Sequence, residues 1–363
     1  MKLLLLGDVV ANDFTRSIWK EKNKEALFGD ALSLFEGNDL TFVNLECAIT
    51  DSTDGIPKFG PCLASPVEVA EVLSDIGVDV CGLSNNHVFD FGPQGVADTI
   101  AALEKNNIAY TGFGKDYEDS RRNFVFEKDG KTVCIITVCE HEYSYALEDR
   151  MGSRPWDEFD TIEDVRAAKA LYDRVIVIYH GGKELCRYPS PRLRRLGRAL
   201  VRAGADVVLG QHSHCISAYE KYEGGHILYG QGNFHFIKPQ HPFDGWHSGL
   251  AVKYDTESGE IEFIPCQNTQ TGITLALGES KDEIMNAFYL RNSHLSTDEW
   301  KEGWHKFCVE NKASYERAIS KACVEGSTER DNGFFAHYLD CEAHTDVWRE
   351  LFPTYNQTNF RNK

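Results

Sequence analysis

Five times before residue 215 the chain runs through a short, mainly apolar stretch and stops at a cluster of acidic, amide or imidazole side chains. Leu3 to Leu6 ends at Gly7-Asp8, and Leu40 to Val43 at Asn44-Leu45-Glu46. Val78 to Leu83 ends at Ser84-Asn85-Asn86-His87-Val88-Phe89-Asp90, Arg174 to Tyr179 at His180-Gly181-Gly182, and Asp206 to Leu209 at Gly210-Gln211-His212-Ser213-His214. Apolar runs of this length without alternation are strands buried on both faces, the signature of parallel sheets. Amphipathic stretches at Pro66 to Ile76, Gly95 to Asn106, Ile162 to Leu171 and Pro191 to Ala203 separate them. The class is therefore α/β. Ser65 and Ser190 stand as N-caps before Pro66 and Pro191, a residue suited to a helix first turn.

Thr132 to Val138 is a further strand of the same kind. His226 to Tyr229, Gly249 to Tyr254 and Glu260 to Ile264 also read as strands, with Glu257-Ser258-Gly259-Glu260 as a hairpin turn. These later strands predict a second sheet. Beyond about residue 280 the spacing turns helical, over Lys281 to Arg291, Thr297 to Glu310 and Ala313 to Glu325. With 363 residues, the expected organisation is a catalytic-type domain over 1–270 and a helical C-terminal appendage over 271–363. The asparagine-rich last residues read as a frayed end.

Parallel α/β sheets bind ligands just beyond the carboxyl ends of their strands, which is where the polar clusters fall. Each cluster taken alone has a plainer explanation. Asp8 reads equally well as the N-cap of a following helix, Asn44 and Asn86 as turn formers, and His87 or His180 as a satisfied loop histidine. His212 and His214, two apart after a glycine, can face one point from an irregular loop, and it is the joint occurrence that points to a site. Oxygen and imidazole donors without thiolate suit a hard to borderline divalent ion such as Mn²⁺, Fe²⁺ or Zn²⁺, one or two in number. Two ions sharing a carboxylate perform hydrolysis at phosphorus or carbon.

The ordered series Gly7-Asp8, Asn44-Leu45-Glu46, Ser84 to His87 through Asp90-Phe91-Gly92, His180-Gly181-Gly182 with Glu184, Gly210 to His214, and Gly230-Gln231-Gly232-Asn233-Phe234 resembles the CapA family. That family comprises bacterial capsule and poly-γ-glutamate synthesis proteins, a branch of the calcineurin-like metallophosphoesterase fold. The resemblance covers about residues 1 to 265. It implies a four-layer α/β/β/α sandwich with its site at the strand ends. It also implies that Asp8 and His214 hold one ion, that Asn86, His180 and His212 hold the other, and that Glu46 lies between them. His87 would be the general acid or a transition-state contact. Asn44, Asn85, Asp90, Glu184 and Asn233 are expected on the substrate side.

Two departures from the wider phosphoesterase pattern bear on the metal. Val10 stands where a histidine is usual, and Glu46 replaces a bridging aspartate. A site with one ion or none is therefore an alternative, in which His87, His180 or Glu46 would serve as acid and base.

Glu140, His141 and Glu142 follow the Thr132 to Val138 strand and are expected to bind substrate or steer a histidine. His235, His241, His247 and Trp246 lie in a loop that either overhangs the pocket or is ordinary surface. Arg187, Arg192, Arg194, Arg195, Arg198 and Arg202 form the main positive concentration, by default a solvated helix face. Lys58 and Phe59 resemble the family's substrate-side loop. A formal charge of −18 disfavours nucleic acid as a partner, no apolar run approaches a membrane span, and no signal peptide is recognisable. Eleven scattered cysteines without a CxxC pair suit a reducing, cytoplasmic compartment.

The expected function is a metal-dependent hydrolase of phosphoesterase type, acting on an anionic small molecule or polymer precursor and associated with capsule or exopolysaccharide synthesis proteins. The alternatives are a non-catalytic scaffold or substrate-binding subunit of a polymer synthesis complex, and a metal-free acid–base enzyme acting on a peptide or amino-acid derivative.

Overall fold

The computed structural model describes residues 1–140, 142–322 and 324–353, with only the backbone of Glu142. Four strands open the chain: β1 (Lys2–Val10), β2 (Leu40–Leu45), β3 (Val80–Gly82) and β4 (Ala109–Thr111). They lie side by side and parallel. A second group follows: β5 (Phe124–Lys128), β6 (Lys131–Cys139), β7 (Arg174–His180), β8 (Val207–Gln211), β9 (Tyr219–Tyr222) and β10 (Gly225–Leu228). These form their own sheet in the order β9-β10-β8-β7-β6-β5, parallel through its centre.

The chain then returns to the first sheet with β11 (Asn233–Phe236), β12 (Ser248–Asp255), β13 (Ile261–Asn268) and β14 (Ile273–Leu275). The two-sheet arrangement matches the expectation, but the membership does not. Of the three later strands expected in a second sheet, only β10 lies there. β12 runs antiparallel beside β1, pairing Leu3 with Tyr254 and Leu5 with Val252, and the predicted hairpin carries β13 on to the same sheet.

Alternate residues of the strands define the layers. Leu3, Leu5, Leu40, Phe42 and Val80 pack against Val133, Ile135, Ile176, Ile178, Val207 and Leu209, so the sheets face one another. Leu4, Leu6, Val43 and Cys81 instead meet α1 (Glu68–Asp75) and α2 (Gly92–Lys105) through Val69, Leu73, Val96 and Leu103. On the far side, Ile136, Val175, Val177 and Val208 meet α3 (Glu158–Leu171) and α4 (Pro191–Ala203) through Val165, Leu193, Leu196 and Leu200. The result is an α/β/β/α sandwich. At about 0.025 kcal/mol per Å² of apolar surface, the three buried interfaces dominate its stability.

The Ser190 cap is present, with its hydroxyl accepting from the Leu193 amide at 3.0 Å. The Ser65 cap is not. α1 starts later, at Glu68, and Ser65 instead accepts from the Ala11 amide at 3.0 Å, fastening the end of β1.

The C-terminal helices are α5 (Gly278–His294), α6 (Glu299–Ala322), α7 (Glu329–Asp340) and α8 (Glu342–Leu351). The break expected near residue 311 is absent because no glycine or proline interrupts α6 there, and the Asn311 side chain donates through Nδ2 to the Phe307 carbonyl at 2.9 Å. α7 and α8 fall within the expected helical appendage, although no individual helix was placed over either. Trp304, Cys308, Tyr315 and Val347 form a separate small core that closes on Cys186 of the loop after β7. Among the described residues no helix is long and apolar enough to cross a membrane.

Candidate metal centre

Parallel strands in both sheets direct their carboxyl ends to one point. β1 carries Asp8 opposite Asn44 of β2, where the pairing register shifts. The shift needs Gly7, since a Cβ there would stand 2.5 Å from the Gly232 carbonyl oxygen. β7 ends on His180, level with Gln211 at the end of β8. The next turn places His212 at φ +78° and His214 at φ +51°, left-handed conformations uncommon for any residue but glycine. That turn brings both imidazoles to the same carboxylate.

The carboxylate is Glu46. Its Oε1 lies 3.3 Å from His180 Nε2, 3.9 Å from His212 Nδ1 and 4.0 Å from His214 Nε2. Asp8 lies 3.5 Å from His214 Nδ1 and 3.8 Å from His180 Nδ1. Two groups have ligand atoms all within 4.8 Å of one another, Glu46 with His212 and His214, and Asp8 with Glu46 and His180. Glu46 is common to both. Asn86 Oδ1 is 2.9 Å from His180 Nε2. Asn44 donates to Asp8 at 2.7 Å and approaches His180 Nδ1 at 3.1 Å, so it orients both.

Glu46 is fully buried, and among the described residues neither of its oxygens accepts a hydrogen bond. Burial, then the neighbouring Asp8 charge, pushes its carboxyl well above the usual range. A buried carboxylate is stable only when paired. This donor set, carboxylate and imidazole around one shared oxygen pair, fits a divalent cation of the Mn²⁺, Fe²⁺ or Zn²⁺ kind.

Beside this cluster stands a second constellation. His87 Nδ1 is 2.6 Å from Asp90 Oδ2, and Lys58 pairs with the other Asp90 oxygen and lies 3.4 Å from the same imidazole nitrogen. Asp90 also accepts from the Leu63 amide at 2.7 Å. The short contact to a carboxylate puts the imidazole proton on Nδ1. Burial, with the Lys58 charge, brings the His87 pKa down to about 4. Asn85 shapes the turn by accepting from the His87 and Val88 amides at 3.1 and 2.9 Å.

Other expected contacts divide by position. Glu184 lies 3.6 Å from His212 Nε2, and Asn233 Oδ1 lies 2.9 Å from His214 Nδ1. Glu140 binds Tyr179 and Arg192 and accepts from the Gly182 amide at 2.9 Å, so it braces the turn after His180. His141 lies outside the described residues. Trp246 packs on His214 at 4.5 Å between ring centroids, whereas His235 is core, buried against Trp19 and Phe28. Val10 is also core. The arginine-rich helix α4 is engaged on the protein itself: Arg194 and Arg198 pair with Glu220, and Arg192 with Glu140 and Asp346.

Sequence reasoning missed the C-terminal contribution. Phe334 and His337 of α7 lie 4.9 and 5.2 Å from the Phe59 ring, beside Lys58. Lys238, over the Phe236 and Trp246 rings, was also missed. No local pattern marks either, because both are placed by packing.

The chain is similar to several known proteins. The capsule biosynthesis protein CapA of Bacillus anthracis is 31% identical over 301 residues, covering 77% of this chain and 71% of that protein. The PGA biosynthesis protein CapA of Bacillus subtilis is 29% identical over 270 residues, covering 72% and 70%. Among solved structures, a hypothetical protein from Thermus thermophilus has a TM-score of 0.46 at 17% identity, covering 74% of this chain and all of that one. The family described as "Bacterial capsule synthesis protein PGA_cap" matches residues 2–238, and this chain belongs to it.

Proposed function

We propose that the protein is a metal-dependent phosphoester hydrolase acting on an anionic intermediate of capsule polymer synthesis. The observation that carries this reading is the Glu46 carboxylate, buried without a hydrogen-bond donor among the described residues at the meeting point of three histidines and Asp8. Asp8, Glu46, His180, His212 and His214 would hold the metal, with Asn86 beside His180. When bound, a divalent ion there supplies positive charge to polarise a phosphoryl oxygen and to lower the pKa of water.

The chain's own residues perform the rest. Asn44 fixes Asp8 and His180 through its amide group. His87, held by Asp90 with its proton on Nδ1, keeps Nε2 for the substrate. An entering anion raises the affinity of that nitrogen for a proton, so the substrate itself promotes the acid form that would protonate a leaving oxygen. Lys58 adds charge next to this pair.

Val10 favours a second reading, with one ion rather than two, since an apolar core residue occupies a position where a ligand is usual. Elemental analysis of the purified protein separates one ion, two and none. The test of function is hydrolysis of aryl phosphate and phosphodiester substrates with added Mn²⁺, Fe²⁺ or Zn²⁺. Turnover that chelator abolishes and metal restores is expected. Failure with every metal, in protein shown to bind metal, rejects the hydrolase and leaves a substrate-binding subunit.

A further inference from the structure

Apart from the metal-centre residues, helix α5 and the segment Asp244–Ser248 border an open pocket of about 340 Å³. Two arginines line it. Arg187 reaches from the loop after β7 and pairs with Asp244, an exposed carboxylate. Arg291 projects from α5 and differs from the other arginines described above. Its Nε is buried with no acceptor, and among the described residues its guanidinium has neither a hydrogen bond nor an ion pair. Burial, with the Arg187 charge adding to it, pushes its pKa below the ordinary value.

Arg291 is half-buried: its Nε has lost water without gaining an acceptor, which is unfavourable, while the rest of the guanidinium borders the pocket and can take an acceptor that arrives from outside. Glu283 is an exposed carboxylate on the cavity wall, and it forms no ion pair with Arg291 among the described residues. Ser248 and Gln267 on the opposite wall offer further hydrogen-bonding groups. The volume is at the small end of ligand sites, roughly 300–1,000 Å³. The planar fork of donors on a guanidinium matches a carboxylate or a phosphate.

We infer that Arg291, with Arg187, forms a binding site for a small oxyanion, a carboxylate or phosphate, separate from the metal centre. Its existence does not depend on hydrolase activity.

The test is thermal unfolding of the full chain in chelator, so that the metal centre cannot respond, with inorganic phosphate, with succinate, and with chloride at matched ionic strength. Phosphate or succinate at a hundred times its Kd should raise the Tm by about 4 °C, chloride should not, and the larger response identifies the anion class. Arg291→Leu should abolish the shift while leaving the Tm without anion unchanged or higher. A clear loss of Tm in that variant without anion would assign Arg291 a structural partner and overturn the inference. Arg187→Leu, on the more exposed wall, should weaken the anion response at least tenfold. Equal shifts in wild type and both variants, or no shift in wild type, would equally overturn it.

Discussion

Replacing Glu46 by glutamine should reverse the stability order of the two proteins when metal is added. In chelator, wild type holds the Glu46 carboxyl with no hydrogen-bond donor among the described residues, its ligand oxygen within 4.8 Å of that of Asp8. Two full charges at that separation repel by about 3 kcal/mol at an effective dielectric near 20, an upper bound because protonation of Glu46 relieves it. Glutamine keeps the shape, loses the charge and brings an amide donor toward Asp8. With unfolding entropy near 2.1 cal/mol/K per residue, the relief corresponds to as much as about 4 °C over a chain of 363 residues.

With Mn²⁺ at a hundred times its Kd, the wild type gains about 2.7 kcal/mol, again about 4 °C. The variant lacks the carboxylate common to both ligand groups, so it gains little. Scanning calorimetry of both proteins, each in chelator and in excess Mn²⁺, reads all four values. If Glu46→Gln is the less stable protein in chelator, and Mn²⁺ shifts both equally, the carboxylate is an internal structural group and the metal reading of this cluster fails.

His87→Ala should leave the metal content unchanged by elemental analysis and lower turnover by roughly 10²- to 10⁴-fold if the imidazole is the general acid. Glu220 sits between Arg194 and Arg198 with Tyr229 donating to it; despite its burial, these partners hold its pKa down to about 2. A depressed carboxylate contributes stability above its unfolded pKa near 4.5 that is lost as pH falls toward 2, so Glu220→Gln should cost about 3 kcal/mol at pH 7 in urea titrations. The two proteins should converge near pH 2. Arg192→Met, which strands Glu140 and Asp346, should destabilise by about 3–5 kcal/mol. Because Glu140 braces the turn after His180, isothermal titration should also show Mn²⁺ affinity falling by about tenfold.

Much of this fold was legible because its strands are short and apolar and end on polar clusters. β7 was expected over Arg174 to Tyr179 and lies at Arg174–His180, and α4 runs from Pro191 to Ala203 as its cap and proline indicate. The same logic brought Asp8, Glu46, Asn86, His180, His212 and His214 into one list of candidates. What stayed hidden was the pairing of strands far apart in sequence. Leu3 meets Tyr254 across most of the chain, and nothing in the local pattern of Gly249 to Tyr254 specifies a neighbour. Short parallel additions such as β4 and β11 were missed for a related reason. Three or four residues carry too little periodicity, and their partners stabilise them.

The C-terminal helices mark a different limit. α7 buries none of its side chains fully, and its large apolar residues, Phe334, Phe335, Tyr338 and Leu339, are confined to its second half, too short a stretch to set a helix apart by pattern. It is held by aromatic contacts instead. Phe334 and His337 rest on Phe59, and the His337 ring also lies 4.8 Å from that of His344 in α8. α8 in turn sends Asp346 to Ser190 and Arg192, at the start of α4. These contacts join the helices to three loops at the mouth of the metal centre, those carrying Lys58, Glu140 and Cys186. The family match ends at residue 238, before any of these helices. The candidate metal ligands therefore all lie in the matched region, while α7, outside it, packs on Phe59 next to Lys58. Differences in substrate among relatives with the same ligands would then arise at positions such as Phe334 and His337, and exchanging these two residues should alter KM for an aryl phosphate while leaving metal content unchanged.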